Sequence, residues 1–272
     1  VPRRTQTLMA VAERGDRRVR YATQGDGPTV LLIPGLGSGA RLFGTLPRRF
    51  VRAGFRCVDF DPVGVAPSSP HSGDYHLDEA ARDVLAVLDD AAIERVSLVA
   101  TSLGGKVALH VAQQAPERVA GMALLASSAV ATPRARRIYR FFQILAERLE
   151  PPQLAEILAT FLFGSSFHNR HPKVVGDIVR AMKLDDPTRA LMIAQAQCLH
   201  TFDGSQLVRE VTCPCLCFAG AEDTLTGVDE VRATAELLPN GHFHLVEGAG
   251  HSLLLEAAEV FDRVAEFLGA LA

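Results

Sequence analysis

The sequence lacks a long apolar run, a strong charge of either sign and the local signs of a targeting segment. No apolar run in its 272 residues approaches the roughly 18 residues that a membrane-spanning helix needs, so we expect no membrane partner. The formal net charge of −3 gives no indication of a nucleic-acid partner. Residues 1–25 alternate basic and apolar side chains like a pair of strands and lack the continuous apolar stretch of a secretory signal. We therefore expect a cytoplasmic protein that acts on a small molecule.

The five cysteines are an odd number and do not resemble a disulfide framework. Three of them, Cys213, Cys215 and Cys217, alternate in "VTCPCLCFAG". This period of two places all three side chains on one face of a single strand, whereas metal sites usually collect their ligands from separated turns. We therefore expect these cysteines to be small apolar core residues in a reduced protein, and we expect no metal site.

Strand-like and helix-like patterns alternate along the first part of the chain. The strand-like apolar runs are Thr29–Ile33, Phe55–Phe60, Val96–Ala100 and Gly121–Ala126. Runs of this kind are typical of strands buried on both faces of a parallel sheet. Between the second and third runs, apolar residues from Leu77 to Ala91 recur at intervals of three and four, which predicts a helix. The alternation predicts an α/β fold with a doubly wound, mostly parallel sheet.

The pattern becomes purely helical over residues 132–201, which we call the helical insert. Four prolines stand where helices would start or stop: Pro151, Pro152, Pro172 and Pro187. Strand–helix alternation resumes with "CPCLCFAG", "HFHLVEG" and a final amphipathic helix. We therefore predict a core built from residues 1–131 and 202–272, with the helical insert on one face of the sheet.

Ser102 in "VSLVATSLGGKVALHVAQQ" is a candidate nucleophile. It follows a predicted strand, and its small neighbours Ala100, Gly104 and Gly105 suit a tight turn into a closely packed helix. Such a turn exposes the hydroxyl at the carboxyl edge of the sheet, next to a helix N-terminus that stabilises negative charge. The alternative is that Ser102 only caps the helix.

A nucleophilic serine needs a base and a group that orients this base. His251 lies in the glycine-rich stretch "VEGAGHSLLLE", and Asp223 lies in "CFAGAEDTLTG", with Glu222 as its near rival. Because each candidate follows a predicted strand, all of them should meet in one crevice at the carboxyl edge of the sheet. The order serine, acid, histidine along the chain is also one that catalytic groups adopt on a sheet of this type.

The loop "IPGLGSGARLF" supplies candidate donors for an oxyanion. The backbone N–H of Leu36 in this loop and that of Leu103, just after the candidate nucleophile, would form a two-donor oxyanion hole. The alternative is a plain strand-to-helix turn, which also needs glycines.

With these motifs the chain resembles the α/β-hydrolase fold superfamily, and within it the cap-bearing branch of small serine hydrolases. The resemblance rests on "IPGLG", "DPVGVAPSS", "ATSLGG", "GAED" and "GAGHSLLLE" and covers nearly the whole chain. It implies Ser102 as nucleophile, Asp223 as acid and His251 as base, and it implies that the helical insert is a lid over the substrate pocket. The chain looks most like esterases and 3-oxoadipate enol-lactonase-type lactonases, whose mechanism uses no cofactor.

Several positions depart from the pattern of the family. Pro34 replaces the usual histidine of the oxyanion loop, Val63 and Ala66 replace residues that are often arginine and glycine, and Ala100 replaces the glycine before the nucleophile. None of these changes removes a catalytic atom. An enzyme of this fold that cleaves carbon–halogen bonds or epoxides would carry aspartate at position 102, so Ser102 argues against those chemistries.

The helical insert should set the substrate. Its phenylalanines either line an apolar pocket or pack the insert onto itself; they are Phe141, Phe142, Phe161, Phe163 and Phe167. Four arginines cluster at its start: Arg134, Arg136, Arg137 and Arg140. One of them could bind a carboxylate of the substrate, and we select Arg137 for this role. The alternative for this cluster is a solvated helix face.

Other functions remain open at this point. The same fold and catalytic groups serve C–C bond hydrolases, thioesterases, perhydrolases and acyltransferases, and some members are ligand-binding regulators with little turnover. We expect a hydrolase of carboxylic esters or lactones. The sequence does not predict the oligomeric state.

Overall fold

A computed structural model of the chain describes residues 7–130 and 132–271. Residues 1–6 of the expected strand pair, Ala131 at the expected boundary of the helical insert, and Ala272 lie outside the described residues. Within the described ranges, no helix is long and apolar enough to cross a membrane.

The core is an eight-stranded sheet in the order β1-β2-β4-β3-β5-β6-β7-β8. Its strands are β1 (Leu8–Arg14), β2 (Arg17–Gln24), β3 (Thr29–Ile33), β4 (Arg56–Phe60), β5 (Val96–Thr101), β6 (Val119–Leu125), β7 (Cys215–Gly220) and β8 (Gly241–Val246). Strands β1 and β2 form an antiparallel hairpin, and β2 also pairs antiparallel with β4. All strands from β3 to β8 run parallel to one another. The predicted doubly wound, mostly parallel sheet is therefore confirmed.

Twelve α-helices are described, together with short 3₁₀ turns at Ala40–Phe43 and Pro116–Arg118. Before the helical insert lie α1 (Leu46–Arg52), α2 (Leu77–Asp90) and α3 (Leu103–Gln114). The insert contains α4 (Pro133–Arg148), α5 (Pro151–Leu162), α6 (Ser165–Arg170), α7 (Pro172–Ala181) and α8 (Asp186–Thr201). After it come α9 (Leu207–Glu210), α10 (Val228–Leu237), α11 (Leu253–Glu256) and α12 (Ala258–Gly269).

The apolar runs of the central strands are continuous because both faces of the sheet are covered. On β3, Leu31 and Ile33 belong to the core cluster that contains α2, α3 and α10, whereas Val30 and Leu32 belong to the cluster on the opposite face with α1 and α12. Alternate residues of a strand point to opposite faces, so both layers need apolar side chains.

Prolines and short polar residues set the starts of the helices in the insert. Pro151 and Pro172 each occupy the first position of a helix, as predicted, and Pro187 occupies the second position of α8. The Thr132 hydroxyl accepts a hydrogen bond from Ala135 N at 3.0 Å and caps α4. The described part of the segment therefore consists of helices and short connections without a strand, and its last helix ends at Thr201.

The prediction for the cysteine run needs one correction. Strand β7 begins at Cys215, so Cys213 precedes the strand and is only half buried, while Cys215 and Cys217 are fully buried. Pro214 separates Cys213 from the strand, and a proline has no N–H to donate to a neighbouring strand. All five cysteines are unpaired thiols. The described residues contain no group of three or more side chains able to hold a metal ion.

Candidate active site

Ser102 occupies a sharp turn between β5, which ends at Thr101, and α3, which begins at Leu103. Its backbone has φ 55° and ψ −120°, a conformation that is costly for a residue with a Cβ. A Cβ at Gly104 would collide with the carbonyl oxygens of Ile33 and Pro34, so this position needs glycine. In the described chain the Ser102 side chain makes no capping hydrogen bond to α3. The strained turn therefore presents the hydroxyl rather than using it to cap the helix.

His251 and Asp223 meet at the same edge of the sheet, after β8 and β7. His251 Nδ1 lies 2.8 Å from Asp223 Oδ2, and the two side chains are 7% and 0% exposed. The other carboxylate oxygen, Asp223 Oδ1, accepts hydrogen bonds from Leu225 N at 2.8 Å and Thr226 N at 3.0 Å. These bonds fix the carboxylate, and a proton on Nδ1 directed at it leaves Nε2 free to accept a proton. Among the described residues no hydrogen bond joins the Ser102 hydroxyl to this ring, an arrangement common in enzymes without bound substrate.

Glu222, the rival of Asp223, points to the helical insert instead. Its carboxylate accepts hydrogen bonds from Ser165 Oγ at 3.0 Å and Ser166 N at 2.8 Å, and also from Ser166 Oγ. The hydrogen bonds from the side chain and the backbone of Ser166 hold the pKa of Glu222 below its usual value. The structure therefore brings Asp223, and not Glu222, to the histidine.

Glu256 is a residue of the site that the sequence reasoning missed. Its carboxylate accepts hydrogen bonds from the backbone N–H groups on both sides of His251, from Gly250 at 2.8 Å and Ser252 at 2.9 Å. It also accepts one from Gly164 of the helical insert at 2.9 Å. A Cβ on Gly250 would collide with the backbone of Gly164, so the histidine loop and the helical insert are in direct backbone contact at these two glycines. The position of Glu256 five residues after the histidine was the only local signal for this role.

The glycine-rich loop after β3 lies directly beside Ser102. A Cβ on Gly35 would lie 3.3 Å from the Cβ of Ser102. Ser38 N donates to Gly35 O at 3.2 Å, and Gly37 N donates to the side-chain oxygen of Gln195 at 2.7 Å. Within residues 7–130 and 132–271, no acceptor is recorded for the N–H of Leu36 or of Leu103. Two unpaired donors beside a serine are what an oxyanion hole requires.

A buried carboxylate, Asp61, anchors the far end of this loop. Asp61 Oδ1 accepts from Ala40 N at 2.9 Å, and Asp61 Oδ2 lies 3.3 Å from Arg20 Nη1. Burial raises the pKa of Asp61, and the hydrogen bond from Ala40 opposes this shift. A Cβ on Gly39 would collide with the same carboxylate. The loop is thus fixed at both ends.

The phenylalanines of the helical insert separate into two groups. The Phe161 ring lies 5.6 Å from the Phe141 ring and 5.9 Å from the Phe142 ring. Phe142 belongs to a buried cluster of the insert, against which Phe161, Leu36 and Leu225 pack. Phe163 and Phe167 instead stack on each other at 5.3 Å, in a separate cluster with Val175.

The predicted arginine cluster lies on α4. Arg137 is exposed there, and none of the described hydrogen bonds or ion pairs joins it to the site. Arg134 reaches the turn after Asp223, because its guanidinium donates to the carbonyl oxygens of Thr224 and Leu225. Arg136 donates to His200 O at 3.3 Å. The carboxylate-binding role of Arg137 stays a prediction.

Known proteins with the same architecture match nearly the whole chain. A putative carbamate hydrolase, RutD, from Variovorax paradoxus is 29% identical over 240 residues, which cover 88% of this chain and 90% of that protein. A thermophilic esterase from Thermogutta terrifontis superposes with a TM-score of 0.84 at 24% identity, covering 98% of this chain and 99% of the esterase. The enol-lactonase from Burkholderia xenovorans superposes with a TM-score of 0.84 at 20% identity, covering 96% of this chain and all of the lactonase.

The family model for the alpha/beta hydrolase fold matches residues 28–258. This range includes β3 to β8, the turn at Ser102, the helical insert, and the loops that carry Asp223 and His251. The chain therefore belongs to the alpha/beta hydrolase family.

Proposed function

We propose that the protein is a serine hydrolase that cleaves a carboxylic ester or lactone of a small to medium, partly apolar molecule through an acyl-enzyme on Ser102. The observation that carries the proposal is the buried 2.8 Å contact between His251 Nδ1 and Asp223 Oδ2, at the sheet edge where Ser102 occupies a strained turn. Structural strain of this kind persists where the surrounding structure imposes it, often at catalytic residues.

The first half of the reaction forms the acyl-enzyme. His251 Nε2 takes the proton of the Ser102 hydroxyl as its oxygen attacks the carbonyl carbon. Asp223 holds the imidazole in the correct tautomer and stabilises the imidazolium that forms. The N–H groups of Leu36 and Leu103 donate to the oxyanion of the tetrahedral intermediate. The imidazolium then gives its proton to the departing alkoxide, and the serine ester remains.

The second half releases the acid. His251 removes a proton from a water molecule, which attacks the serine ester, and the second oxyanion uses the same two donors. Collapse of this intermediate returns the proton to Ser102 Oγ. Every step uses side chains and backbone groups of this chain. The cytoplasmic location of the protein stays a prediction.

The helical insert acts as the lid in this proposal. Phe161 and Leu36, which carries one oxyanion donor, pack against the same buried cluster of the insert, so this cluster lies where the acyl or alcohol part of a substrate would extend. The apolar character of these side chains supports a substrate with an apolar portion.

Carbamate hydrolysis is a second candidate, because the Variovorax relative carries that name. The same groups could attack a carbamate carbonyl, but this carbonyl is less electrophilic than that of an ester. The order of the nucleophile, acid and base and the lid suit both substrates. Turnover of esters compared with carbamates therefore distinguishes the two candidates.

The nucleophile can be tested with a fluorophosphonate probe. The wild-type protein should become labelled, Ser102→Ala should not, and Ser205→Ala, which removes a half-buried serine far along the chain, should react like the wild type. Failure of the folded wild type to react, or equal labelling of Ser102→Ala, would contradict the proposed nucleophile.

The bond that is cleaved requires a substrate panel. We expect turnover of p-nitrophenyl esters or lactones, compared in the same assay with aryl carbamates, thioesters and vinylogous diketones. Cleavage of carbamates alone would favour the second candidate, and cleavage of diketones alone would indicate a C–C bond hydrolase. Stoichiometric binding without turnover would indicate a regulator of the same fold.

A further inference from the structure

The oxyanion loop forms a tight turn whose central peptide is held at both ends. The turn runs from Gly35 to Ser38, closed by the hydrogen bond from Ser38 N to Gly35 O at 3.2 Å. Gly37, its third residue, has φ 64°, which is the signature of a type II turn. The central peptide joins Leu36 to Gly37. Its carbonyl oxygen accepts from Ser38 Oγ at 3.3 Å, and its N–H donates to Gln195 Oε1 at 2.7 Å.

Rotation of this central peptide distinguishes type II from type I turns, since the two types differ in ψ of the second residue and φ of the third. Glycine at the third position permits both states. The hydrogen bond to Gln195 is the shorter of the two that oppose the rotation, and it comes from a side chain that is only 2% exposed. The orientation of the Leu36–Gly37 peptide therefore depends on the hydrogen bond to Gln195.

The Gln195 side chain is enclosed where it meets the loop. Its amide oxygen accepts the hydrogen bond from Gly37 N at 2.7 Å, and Gln195 and the Tyr75 phenol line the same small cavity. Burial raises the pKa of Tyr75, so this neighbour of Gln195 is neutral.

Helix α8 contacts the loop through two side chains. A Cβ on Gly37 would collide with Met192, and Gln195 accepts the hydrogen bond from Gly37 N. A small cavity borders this contact, lined by Gly35, Leu103, Tyr75 and Gln195 among others. The Gln195 hydrogen bond is therefore the polar link between α8 and the loop.

We propose that Gln195 is a positioning residue: by holding the Leu36–Gly37 peptide it fixes the position of Leu36, whose own N–H, in the preceding peptide, donates into the oxyanion hole. The proposal rests on the proposed serine hydrolase function, since it assigns a role within that reaction. It means that the hole is complete only when α8 is seated on the loop. Gln195 links the lid, which contacts the substrate, to a donor that contacts the oxyanion.

The test replaces Gln195 by residues of similar size. Gln195→Met removes the acceptor and keeps the volume, whereas Gln195→Glu keeps an oxygen acceptor at the same place. Gln143→Met is the matched control, because Gln143 is another buried amide of the insert, 8% exposed, which contacts Glu147 rather than the loop. The substrate is the best ester from the panel, and the inhibitor is a trifluoromethyl ketone, whose adduct with serine places an oxyanion in the hole.

We expect Gln195→Met to lower kcat by about tenfold or more, less than the loss of a whole oxyanion donor, with KM changed by less than about threefold. Inhibition by the trifluoromethyl ketone should weaken by a similar factor, a change that a purely structural role would not produce. Gln195→Glu should retain most of kcat, and Gln143→Met should match the wild type. Thermal unfolding of each variant shows whether it is folded.

Three results would overturn the proposal: an unchanged kcat in Gln195→Met, an equal loss in Gln143→Met, or a loss in Gln195→Glu as large as in Gln195→Met. If Gln195→Met does not fold, the kcat of Gln195→Glu decides alone. Fluorophosphonate labelling separates this failure from that of the proposed function. A wild type labelled at Ser102 with an unaffected Gln195→Met contradicts only the role of Gln195, whereas an inert wild type contradicts the function and this role with it.

Discussion

Asp223 and His251 form a buried hydrogen-bonded pair although 28 residues separate them along the chain. Each stands at the carboxyl end of a parallel strand, β7 and β8, which are neighbours in the sheet. The turn after β7 supplies two backbone N–H groups that hold the second carboxylate oxygen. The carboxylate therefore has one oxygen for its own turn and one for the imidazole. This division of contacts gives the pair a fixed geometry.

The first prediction concerns this pair. Asp223→Asn keeps the size of the side chain and an oxygen for the two N–H groups of the turn, but its amide nitrogen would donate to His251 Nδ1. The imidazole would then carry its proton on Nε2 and could not accept the proton of Ser102. We expect kcat to fall by about 10³–10⁴ with little change in thermal stability, measured with the best ester substrate.

Glu222→Gln is the matched control, since Glu222 belongs to the same turn but contacts Ser165 and Ser166. It should retain kcat within about threefold, because the Glu222 side chain contacts the insert and its change removes no interaction proposed for the transition state. A large loss of kcat in Glu222→Gln, together with an active Asp223→Asn, would mean that Glu222 and not Asp223 orients the histidine.

Strands and the residues that follow them could be predicted from the sequence, whereas contacts between residues far apart along the chain could not. The central strands were predictable because burial on both faces imposes continuous apolar runs, and the candidate nucleophile, acid and base were predictable because each follows such a run. The contact between Gly37 and Gln195 spans 158 residues, and that between Gly164 and Glu256 spans 92. No local pattern encodes which residues of the helical insert meet which loops of the core. These contacts depend on how the insert packs on the sheet.

The second prediction tests the backbone contact between the helical insert and the histidine loop. Gly250→Ala would introduce a methyl group into the backbone of Gly164, and neither segment can yield as a flexible side chain would. We expect a loss of a few kcal/mol in the free energy of unfolding, measured in urea, and a lower kcat, because His251 is the next residue.

Gly176→Ala provides the comparison for this change. Gly176 lies within α7, and its new Cβ would meet only the end of the Arg180 side chain, at 3.4 Å. Alanine favours helix over glycine by about 1 kcal/mol, so this variant should be as stable as the wild type or more stable. Equal stability of Gly250→Ala and the wild type would show that the two segments are not in close contact.

The third prediction separates the two aromatic groups of the helical insert. Phe161→Ala opens the cluster against which Leu36 also packs, so we expect kcat/KM for hexanoate and octanoate esters to fall about tenfold more than for the acetate ester. Phe167→Leu disturbs the stack with Phe163 and should lower the stability without changing the ratio between long and short esters. If the ratio of kcat/KM between long and short esters is the same in Phe161→Ala and the wild type, the acyl chain does not bind at this cluster.

The fourth prediction concerns the pH dependence of stability and depends on Asp59, which is only 7% exposed on β4. Burial raises the pKa of Asp59 to about 6, while Arg20, whose Nη1 lies 3.5 Å from the carboxylate, opposes the shift and Asp61 adds to it. The unfolded chain has an ordinary value of about 3.9. Between about pH 4 and pH 6 the folded protein therefore binds more protons than the unfolded protein, so Asp59 lowers the free energy of unfolding as the pH rises through this window.

Asp59→Asn removes this titration. The free energy of unfolding of the wild type, minus that of the variant, should fall by on the order of 1–2 kcal/mol between pH 4 and pH 6.5 and then become constant. Urea unfolding at each pH measures the difference, in which the titration of groups that do not interact with Asp59 cancels. Asp26→Asn, at an exposed turn, should show no such change across the window. A difference that is flat with pH for Asp59→Asn, or one that rises, would mean that the folded protein does not hold a proton on this carboxylate more tightly than the unfolded chain does.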